Sequence, residues 1–386
     1  ISADTIDVAV NQMSADDRLV DYSTQGLTIS TGTSSSITLD MNSDRGELLE
    51  ASGNLEVDLF GFFTLTGSFA LEKSSDSVVL SDGDTVSVDK LTFGGSNINS
   101  FVGINGGTAD AVGFGLQNLD FALAILSENN VGSAAATRSW ISLQANADSD
   151  GFTGIDGVSV TATALTVAIN RAASDGTVVD YATESLEVAT GPSTTFSLDM
   201  DGSRGELLEV SGTVTIDLFG FFQLNGDFAF SKSEETVSVY ESGSTTDVDV
   251  DLLTIGANDV NAFAGIDGSL GFNLSDVDFA IAFAVEQGGD ARKWTALQAD
   301  ASSAAFVGLD GLTLAAGDIS VIVNKVADDG STLDFSTTAL TVATGPTSST
   351  DLTMDGSRGN VEEIRGDLTI DVAGFVSLSG TFAFGR

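Results

Sequence analysis

The chain has 386 residues, 42% of them hydrophobic, which supports a folded core rather than intrinsic disorder. Its formal net charge of −42 disfavours nucleic acid and anionic membrane surfaces as partners, because both are negatively charged. The lack of cysteine and histidine excludes disulfides, thiol or histidine catalysis and Cys/His zinc sites. With 43 glycines and 2 prolines beside many β-branched and aromatic residues, the composition predicts an all-β fold.

A tandem repeat organises the chain. The block at 58–63, Asp-Leu-Phe-Gly-Phe-Phe, returns at 217–222 and in related form at 371–376, at offsets of 217 − 58 = 159 and 371 − 217 = 154. An array of this kind supplies length, stiffness or multivalency, whereas an enzyme concentrates its chemistry in one asymmetric site. We therefore expect a non-catalytic protein.

The frame set by Ile1 predicts three repeat segments, which cover 1–159, 160–313 and, in part, 314–386. Ile1 aligns with Val160 in mid-repeat, so we expect a longer array around this chain. Proline- or serine-rich linkers do not separate the segments. The pattern favours an elongated, β-solenoid-like rod, and a string of packed β-sandwiches is the alternative.

The first predicted element of chemical interest is an acidic turn at 40–47, which recurs at 199–206. Oxygen side chains at alternate positions, followed by glycine and a later glutamate, suit calcium, which takes about six to eight oxygen ligands. The alternative is an Asx turn whose recurring arginine pairs with an acid, since a cation disfavours an arginine in its loop. The predicted calcium ligands are Asp40, Asn42, Asp44, Glu47, Asp199, Asp201 and Glu206.

The phenylalanine-rich block follows the first acidic turn. Leu59, Phe60, Phe62 and Phe63 place apolar groups on both faces of an extended segment, and Gly61 leaves room for a neighbouring backbone. We expect this strand to be sandwiched. Beyond it, the motif Phe-x-Gly-(Ile/Leu)-(Asp/Asn)-Gly predicts hairpin turns. It occurs at 101–106, 152–157, 263–268 and 306–311.

Trp140 and Trp294 each follow an arginine by two residues and lie 154 positions apart. Exposed indole rings beside arginine would form platforms for surface glycans. The alternation of apolar and polar residues around both tryptophans favours part-buried strand residues instead.

Two resemblances bear on function. Stretches such as 210–220, Val-Ser-Gly-Thr-Val-Thr-Ile-Asp-Leu-Phe-Gly, resemble the acidic, cysteine-free tandem repeats of giant bacterial surface and adhesin-type proteins. That resemblance implies export, extracellular or cell-surface display, and calcium-dependent rigidity. The phenylalanine-rich strands are similar in pattern to AsmA-like bridging proteins of Gram-negative envelopes, which implies a β-groove that carries lipids. The regular period and the acidity count against this second resemblance.

From these patterns we expect a structural component of an extracellular filament, stalk or adhesin. Calcium is the expected cofactor, and other copies of the chain are the expected partners. The segment 379–384 copies 225–230, so a sheet edge there would assemble end to end with another molecule. The sequence has no uninterrupted apolar stretch of about 18 residues, so we expect no membrane-spanning helix.

Overall fold

The computed structural model describes residues 1–16, 18–129, 138–266, 268–288 and 291–386. These residues contain strands and three 3-10 helices of three residues each, which confirms the predicted all-β class. The strands in the first half of the chain are β1 (Ser2–Asn11), β2 (Leu27–Ser30), β3 (Ser36–Leu39), β4 (Leu48–Leu59), β5 (Phe63–Val79), β6 (Thr85–Ile104), β7 (Val112–Glu128), β8 (Ser139–Thr153), β9 (Val158–Arg171), β10 (Leu186–Gly191) and β11 (Thr194–Leu198).

In the described residues, the second half of the chain contains eleven further strands. Its strands are β12 (Leu207–Leu218), β13 (Phe222–Glu241), β14 (Ser244–Ile266), β15 (Leu270–Glu286), β16 (Lys293–Val307), β17 (Leu312–Lys325), β18 (Thr332–Leu333), β19 (Leu340–Ala343), β20 (Ser349–Leu352), β21 (Val361–Val372) and β22 (Val376–Gly385). The 3-10 helices are η1 (Ser43–Arg45), η2 (Gly202–Arg204) and η3 (Gly356–Arg358).

One antiparallel sheet contains sixteen of the described strands. Its order is β1-β4-β5-β6-β7-β8-β9-β12-β13-β14-β15-β16-β17-β21-β22, with β18 paired to β13. The hairpins β2–β3, β10–β11 and β19–β20 form three separate two-stranded sheets. Strands β4, β12 and β21 start at Leu48, Leu207 and Val361, so the structure repeats at 207 − 48 = 159 and 361 − 207 = 154, the offsets of the sequence repeat.

By packing, the chain divides into two compact units. The first comprises 1–101, 117–146 and 168–206, and the second comprises 102–116, 147–167 and 207–386. This division describes packing, and the three repeat segments remain a prediction from sequence.

The core of the second unit lies between strands β13–β16 and the segment that contains hairpin β19–β20. The sheet contributes Val237, Val239, Val250, Leu252, Ala280, Ala282, Ala284, Trp294 and Ala296. The covering segment contributes Ala327, Leu333, Phe335, Val342, Leu352 and Met354. We refer to this side of the sheet as the covered face.

A glycine on the covered face lets the hairpin approach the sheet. A Cβ atom on Gly256 would lie 2.1 Å from the carbonyl oxygen of Ala343, and one on Gly94 in the first unit would lie 2.2 Å from that of Ala189. These distances are far inside van der Waals contact, so any side chain there would push the hairpin away.

The phenylalanine-rich block is a turn, so the prediction of a sandwiched strand was wrong. Strand β4 ends at Leu59 and β5 begins at Phe63. The carboxylate of Asp58 accepts a hydrogen bond from the backbone N–H of Gly61 at 2.8 Å, and Gly61 has a φ of 70°. This local hydrogen bond favours a turn over continued strand. As a result Phe60 is 96% exposed.

The motif Phe-x-Gly-(Ile/Leu)-(Asp/Asn)-Gly forms hairpin turns, as predicted. Its copies connect β6 to β7, β8 to β9, β14 to β15 and β16 to β17. Gly157 and Gly311 have φ values of 79° and 76°, which glycine adopts without steric cost. Asp267 of the third copy lies outside the described residues.

Candidate functional site: an uncovered apolar sheet face

The sheet of the second unit has a second face, opposite the covered face. Successive side chains of a strand point to opposite faces. Val237 and Val239 of β13 are buried in the core, so Phe228 and Phe230 of the same strand point the other way. We refer to this second side as the open face.

The strand register aligns the open-face side chains in rows that cross the sheet. The row through Phe230 contains Val210, Phe230, Ile255, Ile281, Leu297 and Val323. The next row contains Phe228, Ala257, Phe279, Ala299, Val321, Ile364 and Phe384. The first row continues from Val323 to Glu362 of β21, and apart from that carboxylate every residue in both rows is apolar.

Two further apolar rows lie closer to the turn between β12 and β13. One contains Ile216, Leu224, Ala262, Leu274, Ala304, Ala316 and Leu368. The other contains Phe222, Ala264, Phe272, Phe306, Leu314, Ile370 and Leu378. Phe272 is 58% exposed and makes an edge-to-face contact with Phe306 at a ring-centroid distance of 5.3 Å.

The apolar rows end at a charged border. The row beyond Phe230 contains Lys232, Leu253, Phe283, Thr295 and Lys325. Glu234 and Asp251 face each other one row further out. From Phe222 to Phe230 the apolar surface extends over eight residue steps, about 27 Å along the strands.

The first unit carries its own open face. The ring centroids of Phe69 and Phe93 are 6.1 Å apart in a stacked arrangement, and those of Phe93 and Phe121 are 5.3 Å apart in an edge contact. Nearby open-face side chains are exposed by 38–40%, namely Leu71, Leu91, Phe93, Ile125 and Ile141. Contiguous apolar surface on the uncovered side of a sheet is typical of interaction sites.

Sequence reasoning missed the open face, although β15 carries a signal for it. Large side chains alternate with alanines through Phe279, Ile281 and Phe283, and the alanines between and after them are the buried residues. Small residues therefore line the face that the hairpin approaches, and the large ones line the uncovered face. Both faces are apolar, so a search for apolar/polar alternation does not separate them.

The predicted calcium turns form short capped 3-10 helices. The side chains of Asn42 and Asp201 accept hydrogen bonds from the backbone N–H groups of Asp44 and Ser203, each at 2.8 Å. Arg45 in the first of these turns pairs with Glu72 at 2.6 Å and Glu50 at 3.2 Å. These contacts match the Asx-turn alternative.

Three of the other predicted ligands contact protein groups. Asp199 accepts from the Gln144 side-chain amide at 2.7 Å. Glu206 accepts from the backbone N–H of Ala172 at 3.3 Å, and Glu47 accepts from that of Met13 at 3.2 Å. Asp40 lies in the turn just before η1. Within the described ranges, three or more Asp or Glu residues do not converge as they would around a metal ion. Calcium binding stays a prediction.

Two carboxylates that the sequence did not single out support these turns. Asp180 accepts from the backbone N–H of Gly202 at 3.0 Å, and Asp334 accepts from that of Gly356 at 3.2 Å. Burial by itself would raise the pKa of Asp334, but hydrogen bonds from Ser336, Gly356 and Thr245 outweigh it and lower the pKa below its usual value. The charged carboxylate therefore stabilises η3.

Both tryptophans are buried, so the sugar-platform alternative is wrong for them. Trp140 and Trp294 are 0% and 2% exposed. The Trp140 indole N–H donates to the Thr177 carbonyl oxygen at 2.9 Å, and Arg138 lies over the ring at 5.4 Å. Arg292 covers Trp294 at 5.0 Å in the same way. The predicted packing role is the one observed.

Comparison of the chain with family models, curated proteins and solved structures finds no match. Across the described residues, helices of the length and apolarity needed to cross a bilayer are absent.

Proposed function

We propose that the open face binds the acyl chains of lipids and that the protein is a non-catalytic lipid carrier of the cell envelope or cell surface. The observation that carries this proposal is the set of four apolar rows on the uncovered side of the sheet in the second unit. An acyl chain makes no hydrogen bonds, so it matches a surface without polar side chains. This is the function that the AsmA-like resemblance implies.

The charge of the chain disfavours the simplest alternative, in which two open faces cover each other. Each copy carries a net charge of −42, and close approach of two copies is opposed by their repulsion. A neutral or singly charged amphiphile meets a much smaller barrier. Each unit also presents its own open face, which suits a ligand that is bound without sequence specificity.

The test is mass spectrometry of organic extracts of the purified protein, followed by uptake of a fluorescent fatty acid. We expect co-purifying acyl lipids and saturable uptake. Phe272→Asp places a charge on the open face and should weaken uptake. Asn273→Asp is the matched control, because it adds the same charge to the next residue, which points to the opposite face. A lipid-free preparation that takes up no fatty acid contradicts the proposal.

A structural role in an extracellular filament, stalk or adhesin is the second candidate. It is favoured by the recurrence of β4 as β12 and β21, because repeated units add length. Electron microscopy should then show uniform rods whose length scales with the number of repeats. Compact particles would contradict this candidate.

A further inference from the structure

One edge of the second unit is formed by six turns, and each of them presents a large apolar side chain to solvent. We refer to these turns as the apolar turn edge. The turns join β6–β7, β8–β9, β12–β13, β14–β15, β16–β17 and β21–β22. Their exposed residues are Ile104 (50%), Ile155 (47%), Phe219 (57%), Ile266 (52%), Leu309 (53%) and Phe375 (90%).

The turns of this edge are tied together by backbone hydrogen bonds. Gly265 donates to the carbonyl oxygen of Phe221 at 2.9 Å, and Gly268 donates to that of Gly220 at 3.1 Å. Both bonds join the β14–β15 turn to the β12–β13 turn. The apolar tips of these two turns are therefore held in fixed positions relative to each other.

Backbone conformation shows that phenylalanine is a costly choice at these tips. Phe219 has a φ of 56°, in the left-handed region where asparagine and glycine are favoured. Phe60, at the same place in the first unit, has a φ of 55° and is 96% exposed. Both rings are more than half exposed, so burial in the fold offsets only part of this cost, and the third copy of the position holds Ala373 at a φ of 49°. Backbone strain at an exposed side chain is typical of functional contacts.

Two described turns at the opposite ends of the strands are polar. The β13–β14 turn contains Glu241, Ser242 and Gly243, and Ser242 has a φ of 52°. The β5–β6 turn of the first unit contains Asp82 and Asp84 around Gly83. The same backbone conformation thus carries a polar residue in the β13–β14 turn and a phenylalanine on the apolar turn edge.

We propose that the apolar turn edge inserts into the surface of a lipid bilayer with zwitterionic headgroups. Turns on one edge recur every second strand, about 10 Å apart, so the tips are separate and suit insertion between lipids. The six turns contain no lysine or arginine, and four of them contain an aspartate. This charge disfavours an anionic membrane.

The open face continues to the apolar turn edge, so this inference rests on the proposed lipid-carrying function. The row through Phe222, Phe272 and Leu314 lies next to these turns. A lipid that leaves the bilayer at the edge reaches the apolar rows without passing the charged border, which lies at the far end of those rows. The edge is the entry side for acyl chains.

The experiment is flotation with vesicles of phosphatidylcholine and with vesicles of phosphatidylglycerol. We expect the protein to float with phosphatidylcholine and to bind phosphatidylglycerol more weakly. The test variants are Phe219→Asn and Phe375→Asn, singly and combined. Asparagine tolerates the left-handed backbone of Phe219 and is a common turn residue at the position of Phe375, so these variants retain the fold. Each replacement should weaken binding to phosphatidylcholine by about tenfold.

Ser242→Asn is the matched control, because it makes the same kind of change in a left-handed turn at the opposite edge. It should leave vesicle binding unchanged. The inference is overturned if the wild-type protein fails to float with phosphatidylcholine, or if the double variant binds as the wild type does. Uptake of dispersed fatty acid should persist in the turn variants, which separates failure of the edge from failure of the open face.

Discussion

A buried hydrogen-bond chain in the first unit predicts an unusual order of mutant stabilities. Tyr181 donates from its hydroxyl to Ser142 Oγ at 2.9 Å, and Ser142 donates to Asn170 Oδ1 at 3.0 Å. All three residues are at most 1% exposed. In the second unit the corresponding residues are Phe335, Ala296 and Asn324, and Asn324 Oδ1 is buried without a hydrogen-bond partner. The second unit therefore shows the hydrogen-bond chain with its first two members, the tyrosine and the serine, replaced by residues without hydroxyl groups.

Ser142→Ala leaves two buried groups unpaired, the hydroxyl of Tyr181 and the Oδ1 atom of Asn170. At about 1–3 kcal/mol for each group, the variant should lose about 2–6 kcal/mol of unfolding free energy. Tyr181→Phe removes one donor and should cost about 1 kcal/mol. The double variant leaves one unpaired group, as in the second unit, and should cost about 1–3 kcal/mol. We therefore expect the double variant to be more stable than Ser142→Ala alone.

The assay is urea denaturation followed by tryptophan fluorescence in a Trp294→Phe background. Trp140 is buried in the first unit and then reports unfolding of that unit alone. For the second unit, the same assay uses a Trp140→Phe background, in which Trp294 is the remaining tryptophan. There the variant Ala296→Ser should stabilise the second unit, because the new hydroxyl can donate a hydrogen bond to Asn324 Oδ1. Additive losses in the double variant, or a double variant less stable than Ser142→Ala, would refute the reasoning.

Three further predictions concern the hairpins and the acidic turns. Gly256→Ala should lower the unfolding free energy by about 1–3 kcal/mol in urea denaturation, because the new Cβ atom would meet the Ala343 carbonyl oxygen. Gly317→Ala should be nearly neutral, because the nearest atom to its Cβ would be 3.6 Å away. Equal effects of the two variants would contradict the close-approach argument. The lowered pKa of Asp334 means that its contribution to stability is present above about pH 4 and is lost as the pH falls through the folded-state pKa. The Asp334→Asn variant should have a lower melting temperature at neutral pH, and its melting temperature should change less as the pH falls into the acid range. An acid dependence equal to that of the wild type would count against this assignment. If calcium binds the acidic turns, it should raise the melting temperature more than sodium chloride of matched ionic strength, and equal shifts would indicate screening alone.

The fold was largely predictable from the sequence because its signals are local. Glycine-containing turn motifs and β-branched strands specified an all-β chain, and the 159- and 154-residue offsets recur in the strand bounds. The block around Phe60 was misread because large apolar residues on both sides of a glycine suggest a buried strand. The deciding interaction is the hydrogen bond between Asp58 and the N–H of Gly61, which the apolar pattern does not show.

The candidate site was harder to predict because it depends on which face the hairpin covers. In β15 the pattern Phe-Ala-Ile-Ala-Phe at 279–283 contains two apolar faces. The covered one is identified only by the contact of Ala280 and Ala282 with a segment more than 40 residues later in the chain. Residue size distinguishes the two faces once that contact is known, since a close-packed hairpin requires small partners.

The net charge and the open face are physically linked. An uncovered apolar sheet would normally drive association, because burial gains about 25 cal/mol for each Å² removed from water. Repulsion between chains of net charge −42 opposes that gain at long range, while a single acyl chain adds little charge and meets little repulsion. The acidic composition therefore has a second physical consequence besides solubility. In the proposed lipid carrier, it opposes self-association and keeps the apolar surface accessible to small amphiphiles.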